Sequence, residues 1–147
     1  MVRAFNHIGP EQSPAFVVSD FCRQTALIEK GINPPVIHVG NLEAMRDFTD
    51  VRDVVRAYGL LIQHGKSGEI YNIGSGKAIK IRDILDKIIK LSSVPIKVEV
   101  DASRLRPVDV PIIAADISKT TACISWQPEI SLDTTIKETL EYWQNHI

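Results

Sequence analysis

Arginines in polar segments are the side chains of this sequence best suited to bind an anion. Arg46 lies before an aromatic residue, while Arg104 and Arg106 lie much later in a loop that contains two prolines. Ordering an arginine in a rigid loop costs conformational entropy unless the guanidinium finds an anion. Arg46 and Arg106 together could hold a phosphate or pyrophosphate. The alternative is ordinary surface pairing with nearby carboxylates, namely Asp47, Asp53 or Asp109.

The segment Gly74-Ser75-Gly76-Lys77 is the one glycine-rich motif next to a predicted strand and helix, where phosphate-binding loops occur. A dinucleotide fingerprint needs a third glycine where Ile79 stands, and a P-loop needs a glycine where Tyr71 stands. We therefore predict a tight structural turn.

Other catalytic motifs are not found in the sequence. The histidines, His7, His38, His64 and His146, have no second ligand at a recognised metal spacing. Neither a Gly-x-Ser-x-Gly nor a Cys-His signature occurs. The sequence thus predicts no metal site and no catalytic residue.

A mixed α/β fold must position these side chains. Apolar residues at helical spacing predict about five helices, over residues 15–30, 51–64, 81–89, 116–123 and 131–147. Four short strands are predicted over residues 2–5, 36–39, 68–73 and 95–100. Ser13 and Pro14 resemble a helix start, and Asp50 with Asp53 resembles a capping box. Residues 6–14, 41–46 and 104–111 are predicted connections.

Composition indicates one soluble domain. The chain has 147 residues, of which 44% are hydrophobic and 24% charged, with a net charge of -1. There is no basic field for nucleic acid and no apolar run of the roughly 18 residues that a membrane span needs. Cys22 and Cys123 lie far apart, so we expect two reduced thiols and a cytoplasmic location.

Six strings of residues occur in an order that resembles the carboxy-terminal half of nucleotide-sugar enzymes of the extended short-chain dehydrogenase/reductase family. They cover residues 3–10, 39–44, 46–53, 71–76, 104–111 and 126–128. The chain most resembles GDP-6-deoxy-4-keto-mannose reductases and, next, GDP-mannose 4,6-dehydratases. The resemblance implies a small mixed α/β substrate-binding domain over residues 1–147, of which residues 1–8 resemble the last part of a Rossmann domain that the chain lacks.

The resemblance also implies roles for individual residues. Asn6 matches an asparagine that hydrogen-bonds the substrate near its phosphate. Arg46 and Arg106 match two arginines that bind the pyrophosphate, and Asp109 matches an acidic position that accepts from ribose hydroxyls. The residues that match the pocket for the base are Phe16, Val17, Val39, Gly40 and Asn41.

The implied activity is that of the GDP-sugar-binding half of an NADP-dependent GDP-4-keto-6-deoxy-mannose reductase. The family's Gly-x-x-Gly-x-x-Gly turn and Tyr-x-x-x-Lys pair do not occur here, because Ile62, Ser75 and His146 stand four residues after the three tyrosines. The main site for NADP or NAD is therefore expected outside this chain, which is expected to be inactive alone. The alternatives are a fragment of a GDP-mannose 4,6-dehydratase and a non-catalytic remnant or interaction module whose first strand is unpaired. A homodimer is a further expectation.

The sequence departs from the resemblance at two positions. Glu11 and Ser125 stand where the similar enzymes often carry glycine. We expect Glu11 to alter a loop beside the cleft slightly, and Ser125 to strain a helix end that prefers a positive φ.

Overall fold

The computed structural model describes residues 1–105 and 110–147, and within these ranges the fold is mixed α/β, as predicted. The helices are α1 (Val17–Glu29), α2 (Val51–His64), α3 (Ile81–Leu91), α4 (Ser118–Ile124) and α5 (Leu132–His146), with a single 3-10 turn at Ala102–Arg104. The strands are β1 (Val2–Ala4), β2 (Asn6–Ile8), β3 (Val36–Val39), β4 (Met45–Asp50), β5 (Tyr71–Ile73), β6 (Ala78–Lys80), β7 (Lys97–Val100) and β8 (Ile112–Ile113).

Strand β4 organises the largest sheet. Its second half pairs in parallel with β2, so that Asn6 lies opposite Phe48. Its first half pairs antiparallel with β6 and parallel with β8. Two further parallel pairs, β1 with β5 and β3 with β7, complete the described strands.

Two apolar clusters hold the elements together. The main cluster joins α1, α3 and α5 to β3 and β4, and its fully buried members include Cys22, Ile37 and Leu85. The second cluster joins α2, β5 and the end of α4 around Trp126, whose indole nitrogen donates to the carbonyl of Asp53 at 3.0 Å. The helices of both clusters pack against the strands.

Two strands lie where the sequence predicted connections. Residues 6–14 were expected to be a loop, but Asn6–Ile8 forms β2, and the connection expected over residues 41–46 gives way to β4 at Met45. Strand β4 does not alternate in hydrophobicity, because it buries Asp47 and Thr49 on one face and Asp50 on the other. Tertiary pairing therefore overrides the local pattern.

Two predicted helix starts need correction. Helix α1 begins at Val17, and its N-cap residue, Phe16, makes no side-chain capping hydrogen bond. Ser13 lies in the preceding turn, where its carbonyl accepts from the N–H of Phe16. Asp50 does cap α2 by accepting from the N–H of Arg52, but Asp53 accepts from Glu129 and Ile130 instead of completing a capping box.

The expectation of an unpaired first strand is wrong. Strand β1 pairs with β5 through residues Val2 to Ala4, and the N–H of Phe5 extends the ladder to the carbonyl of Ile73.

In residues 1–105 and 110–147, no helix is both long and apolar enough to cross a membrane. The same residues contain no cluster of His, Cys, Asp or Glu that could hold a metal ion.

Candidate functional site

A cavity of about 480 Å³, here called cavity 1, opens between β2, the start of α1 and β4. Its lining includes four of the residues that the resemblance assigned to substrate binding, namely Asn6, Phe16, Val17 and Arg46. Arg46 is the charged residue of this lining, and no carboxylate is found among its described members. An uncompensated guanidinium at the wall of a cavity favours an anionic ligand.

The guanidinium of Arg46 is held by backbone oxygens. Its Nη1 donates to the carbonyl of Met45 at 2.8 Å and to that of Pro111 at 3.3 Å. Among the described residues no carboxylate pairs with Arg46, because Asp47 accepts from Ser75 and Gly76 and Asp53 pairs with Arg56. The side chain is thus ordered before an anion binds, which lowers the entropy cost of binding.

Gln12 is a member of cavity 1 that the sequence did not single out. Its amide nitrogen donates to the carbonyl of His7 at 2.8 Å, while its buried Oε1 has no donor among the described residues. The loop composition around Gln12 gives no signal of this position. Because this amide oxygen is buried, a small partner such as a water molecule, and not a larger ligand, could satisfy it.

A second cavity of about 500 Å³, cavity 2, adjoins the first and shares Phe16, Val17 and Ile81 with it. Its lining also includes Gly40 and Asn41, two of the residues that the resemblance assigned to the base pocket. The two cavities therefore lie side by side, and together, as the cleft, they are lined by most of the predicted site residues.

The wall of cavity 2 opposite α1 is the 3-10 turn at Ala102–Arg104. Asp101 caps this turn, and the hydroxyl and backbone N–H of Ser103 hold the pKa of Asp101 below its usual range. The turn lies directly on Gly40, where an added Cβ would come within 2.5 Å of the Arg104 carbonyl oxygen. Gly40 therefore allows the turn, and with it Arg104, to approach the end of β3.

Three predicted site residues are not among the described residues that line the cleft. Val39 is fully buried in the main cluster, and its carbonyl accepts from the N–H of Asp101. Arg106 and Asp109 lie outside the described residues. The pairing of Arg46 with Arg106 therefore stays a prediction.

The Gly74-Ser75-Gly76 segment forms a turn, as the sequence predicted, but the turn leads from β5 into β6 and not directly into a helix. The backbone N–H groups of Ser75 and Gly76 donate to the carboxylate of Asp47 at 2.7 and 2.9 Å. These donors are the groups that would otherwise bind a phosphate. The turn consequently does not fit a dinucleotide cofactor.

The hydroxyl of Tyr71, which lies away from the cleft, accepts two hydrogen bonds. It accepts from the Cys123 thiol at 3.4 Å and from the N–H of Lys66 at 3.0 Å. The bond from Cys123 is the main reason why the pKa of Tyr71 is raised. A raised pKa does not suit a tyrosine that must transfer a proton near neutral pH.

The parallel strand pairs, the covering helices and the cleft define an α/β protein of the extended short-chain dehydrogenase/reductase type. Residues 1–139 match the family model described as GDP-mannose 4,6 dehydratase, and the chain belongs to that family.

The sequence is 31% identical to GDP-6-deoxy-D-mannose reductase from Pseudomonas aeruginosa over 100% of this chain and 48% of that protein. It is 27% identical to GDP-mannose 4,6 dehydratase from Dictyostelium discoideum over 96% of this chain and 46% of the relative. The structure of RMD from Pseudomonas aeruginosa complexed with NADPH superposes with a TM-score of 0.93 at 31% identity, covering 99% of this chain and 48% of the other. The chain spans about half the length of the relatives that it matches.

Proposed function

We propose that residues 1–147 form the GDP-sugar-binding domain of an NADP-dependent GDP-4-keto-6-deoxy-mannose reductase. The observation that carries the proposal is cavity 1, where Arg46, Asn6 and Phe16 meet without a carboxylate among the described lining residues. The similarity to GDP-6-deoxy-D-mannose reductase along the whole chain supports the choice of substrate class.

In this proposal the residues of the cleft divide the nucleotide sugar between them. Arg46 binds the pyrophosphate, and Asn6 hydrogen-bonds the substrate near its phosphate. The base lies in cavity 2 against Phe16, Val17, Gly40 and Asn41, with Val39 contributing through the strand end. Arg106 as a second phosphate ligand and Asp109 as a ribose ligand complete the proposed set.

Calorimetric titration of the chain with GDP and GDP-mannose tests the proposal. Replacing Arg46 by Ala removes a charge-assisted hydrogen bond to phosphate, so we expect affinity to fall by about ten-fold or more. Arg3→Ala is the matched control, because Arg3 is exposed on β1 and lines neither cavity. If the folded chain binds neither ligand, or if Arg46→Ala binds both as tightly as the wild type, the proposal is wrong.

A GDP-mannose 4,6-dehydratase is the second candidate, favoured by the family model that the chain matches. An assay of the chain, alone and within any longer polypeptide that contains it, separates the two activities. Oxidation of NADPH with a GDP-4-keto-6-deoxy sugar supports the reductase, whereas loss of water from GDP-mannose supports the dehydratase.

A homodimer and a cytoplasmic location belong to the same proposal. Val55, Tyr58 and Ile62 lie on one face of α2 and are 60%, 38% and 87% exposed, which supports association through this helix. The two free thiols are typical of a reducing compartment. Light scattering at increasing concentration tests the dimer, and a monomer throughout would contradict it.

A further inference from the structure

Cavity 2 contains a charged pair that the resemblance did not assign. Asp20 on α1 and Arg104 on the 3-10 turn line the cavity and meet across it, with Arg104 Nη1 2.6 Å from Asp20 Oδ2. Their side chains are 17% and 42% exposed, so neither is fully removed from solvent. The pair therefore lies where a molecule in the cavity can reach it.

Each member of the pair has hydrogen-bonding capacity left over. Gln24 donates to the same Asp20 Oδ2 at 2.8 Å, which leaves Oδ1 without a hydrogen bond among the described residues. In the same part of the chain, Arg104 Nη2 makes no hydrogen bond, and Nε lies 3.7 Å from Asp101. The pair thus presents a carboxylate acceptor beside a guanidinium donor.

The position of cavity 2 beside cavity 1 determines which part of a ligand would reach this pair. A nucleoside diphosphate whose phosphates lie beside Arg46 in cavity 1 has cavity 2 as the adjoining space for its base. Phe16 lies at the shared wall and is 58% exposed, so its ring is accessible for stacking with a flat base.

We infer that Asp20 and Arg104 recognise the Watson–Crick edge of guanine and determine the base specificity of the cleft. Guanine presents one acceptor, O6, followed by two donors, N1–H and the N2 amino group. Arg104 donates to O6 through its free Nη2, and the free Oδ1 of Asp20 accepts from N1–H and N2–H, so the guanidinium faces the acceptor of guanine and the carboxylate faces its two donors. The inference rests on the proposed nucleotide-sugar function and adds the residues that select the nucleotide.

Other bases match the pair less well. Uracil places the acceptor O2 where guanine has its N2 amino group, so a carboxylate oxygen would face a carbonyl oxygen. Adenine places a donor where guanine has O6, opposite the Arg104 guanidinium. A site whose polar groups lose their partners rejects the wrong ligand strongly, because those groups are desolvated and left unpaired.

Titration of the wild-type chain with GDP, IDP, UDP and ADP gives the first test without any substitution. IDP differs from GDP only by the missing N2 amino group. We expect GDP to bind about ten-fold more tightly than IDP, because one charge-assisted hydrogen bond is lost, and more tightly still than UDP and ADP.

The variant Asp20→Asn gives the second test. The amide places an N–H₂ donor beside the base, which matches the C2 carbonyl of xanthine and opposes the N2 amino group of guanine. We expect about ten-fold weaker binding of GDP and a preference that shifts toward xanthosine diphosphate. Asp133→Asn is the matched control, because Asp133 is 71% exposed and pairs with Lys87 away from the cleft.

The results separate this inference from the proposed function. Equal binding of GDP, IDP and UDP by the wild type, or an Asp20→Asn variant that keeps the wild-type order of preference, would overturn the base-reading role alone, while Arg46-dependent binding would still support the proposed function. Failure of the folded chain to bind any of the four diphosphates would overturn both. A shift toward xanthosine diphosphate cannot come from a purely structural role, which would weaken every nucleotide alike.

Discussion

The carboxylate of Asp47, in the middle of β4, joins three parts of the chain. Asp47 is fully buried and accepts from Ser75 and Gly76 in the turn and from the N–H of Ala115, the last at 3.0 Å. Gly74 is close to the same carboxylate, because an added Cβ would lie 2.9 Å from Oδ2. A buried charge is stable in a protein only when donors surround it in this way.

Replacing Asp47 by Asn should therefore destabilise the fold. The new N–H₂ group would face N–H donors that the carboxylate now accepts from, and we expect a loss of about 2–4 kcal/mol in the free energy of unfolding. Urea denaturation measures the change, with the exposed Asp86→Asn on α3 as control. A loss below about 1 kcal/mol for Asp47→Asn would show that the surroundings rearrange to satisfy the amide.

Two non-glycine residues in the described part of the chain have a left-handed backbone. The φ angles are 68° at Glu11 and 50° at Ser125, and the expectation of a positive φ at Ser125 is thereby confirmed. Glycine adopts this region without the steric cost of a Cβ. We expect Glu11→Gly and Ser125→Gly each to raise the free energy of unfolding by about 0.5–1 kcal/mol.

Thermal unfolding of each glycine variant tests this expectation. Ala122→Gly on the exposed face of α4 is the control, and it should lower stability by about 1 kcal/mol because its backbone is helical. Destabilisation by Ser125→Gly would mean that the conformational entropy that glycine adds to the unfolded chain outweighs the relief of backbone strain in the folded one.

At the scale of elements, the start of α2 is fixed to α5. Asp50 is buried and accepts from the backbone and side chain of Arg52 and from the Thr135 hydroxyl of α5 at 2.7 Å. Arg52 also bonds Glu138 on α5 at 2.6 Å. Burial tends to raise the pKa of Asp50, but the hydrogen bonds from Arg52 and Thr135 together outweigh it, so the pKa is lowered.

This shift predicts how stability depends on pH. The pKa of Asp50 is lower in the folded chain than the value of about 3.9 in an unfolded one, so the carboxylate stabilises the fold at neutral pH. That contribution is lost as the pH falls below about 4 and through the folded pKa. We expect Asp50→Asn to be less stable at pH 7 and to lose less stability on acidification, as measured by urea denaturation across this range. Parallel pH curves for the two proteins would contradict the assignment.

The elements differ in how far the sequence could predict them. Helix α3 and strand β3 were predictable, because their apolar residues recur at helical spacing or form a short run bounded by prolines and glycine. Strand β4 was not, because Asp47 and Asp50 are polar in sequence and buried in the fold. Their hydrogen-bond donors come from distant segments, which a local pattern does not contain.

The cleft shows the same limit. The resemblance assigned Arg46 and Asn6, and the structure places both on cavity 1. It did not assign Asp20, because a charged residue in the first turn of a helix looks like a solvent-facing one. Only the position of Arg104 across the cavity distinguishes Asp20 from such a residue.

At the scale of the whole molecule, the two thiols differ in how far the fold must open before a reagent reaches them. Cys22 is fully buried in the main cluster, and burial raises the pKa of its thiol strongly. Cys123 is half-buried beside Tyr71. We expect a thiol reagent to modify Cys123 quickly and Cys22 only when the main cluster unfolds.

Labelling of Cys22→Ser and Cys123→Ser variants followed by mass spectrometry measures the two rates separately. Added urea should accelerate labelling of Cys22 in proportion to the unfolded fraction and change that of Cys123 less. Rapid modification of Cys22 in native buffer would mean that α1 opens without unfolding of the rest.

The network around Asp47 also bears on how long the folded molecule lasts. The carboxylate joins residues that are 28 and 68 positions away in the chain, and such distant closures carry the largest entropy cost during folding. We expect these bonds to form after the rate-limiting step, so that Asp47→Asn mainly accelerates unfolding and changes the folding rate little. Stopped-flow kinetics in urea would show this as a shift of the unfolding limb alone. The Asp47 carboxylate would then lengthen the lifetime of the native state without changing the speed of its formation.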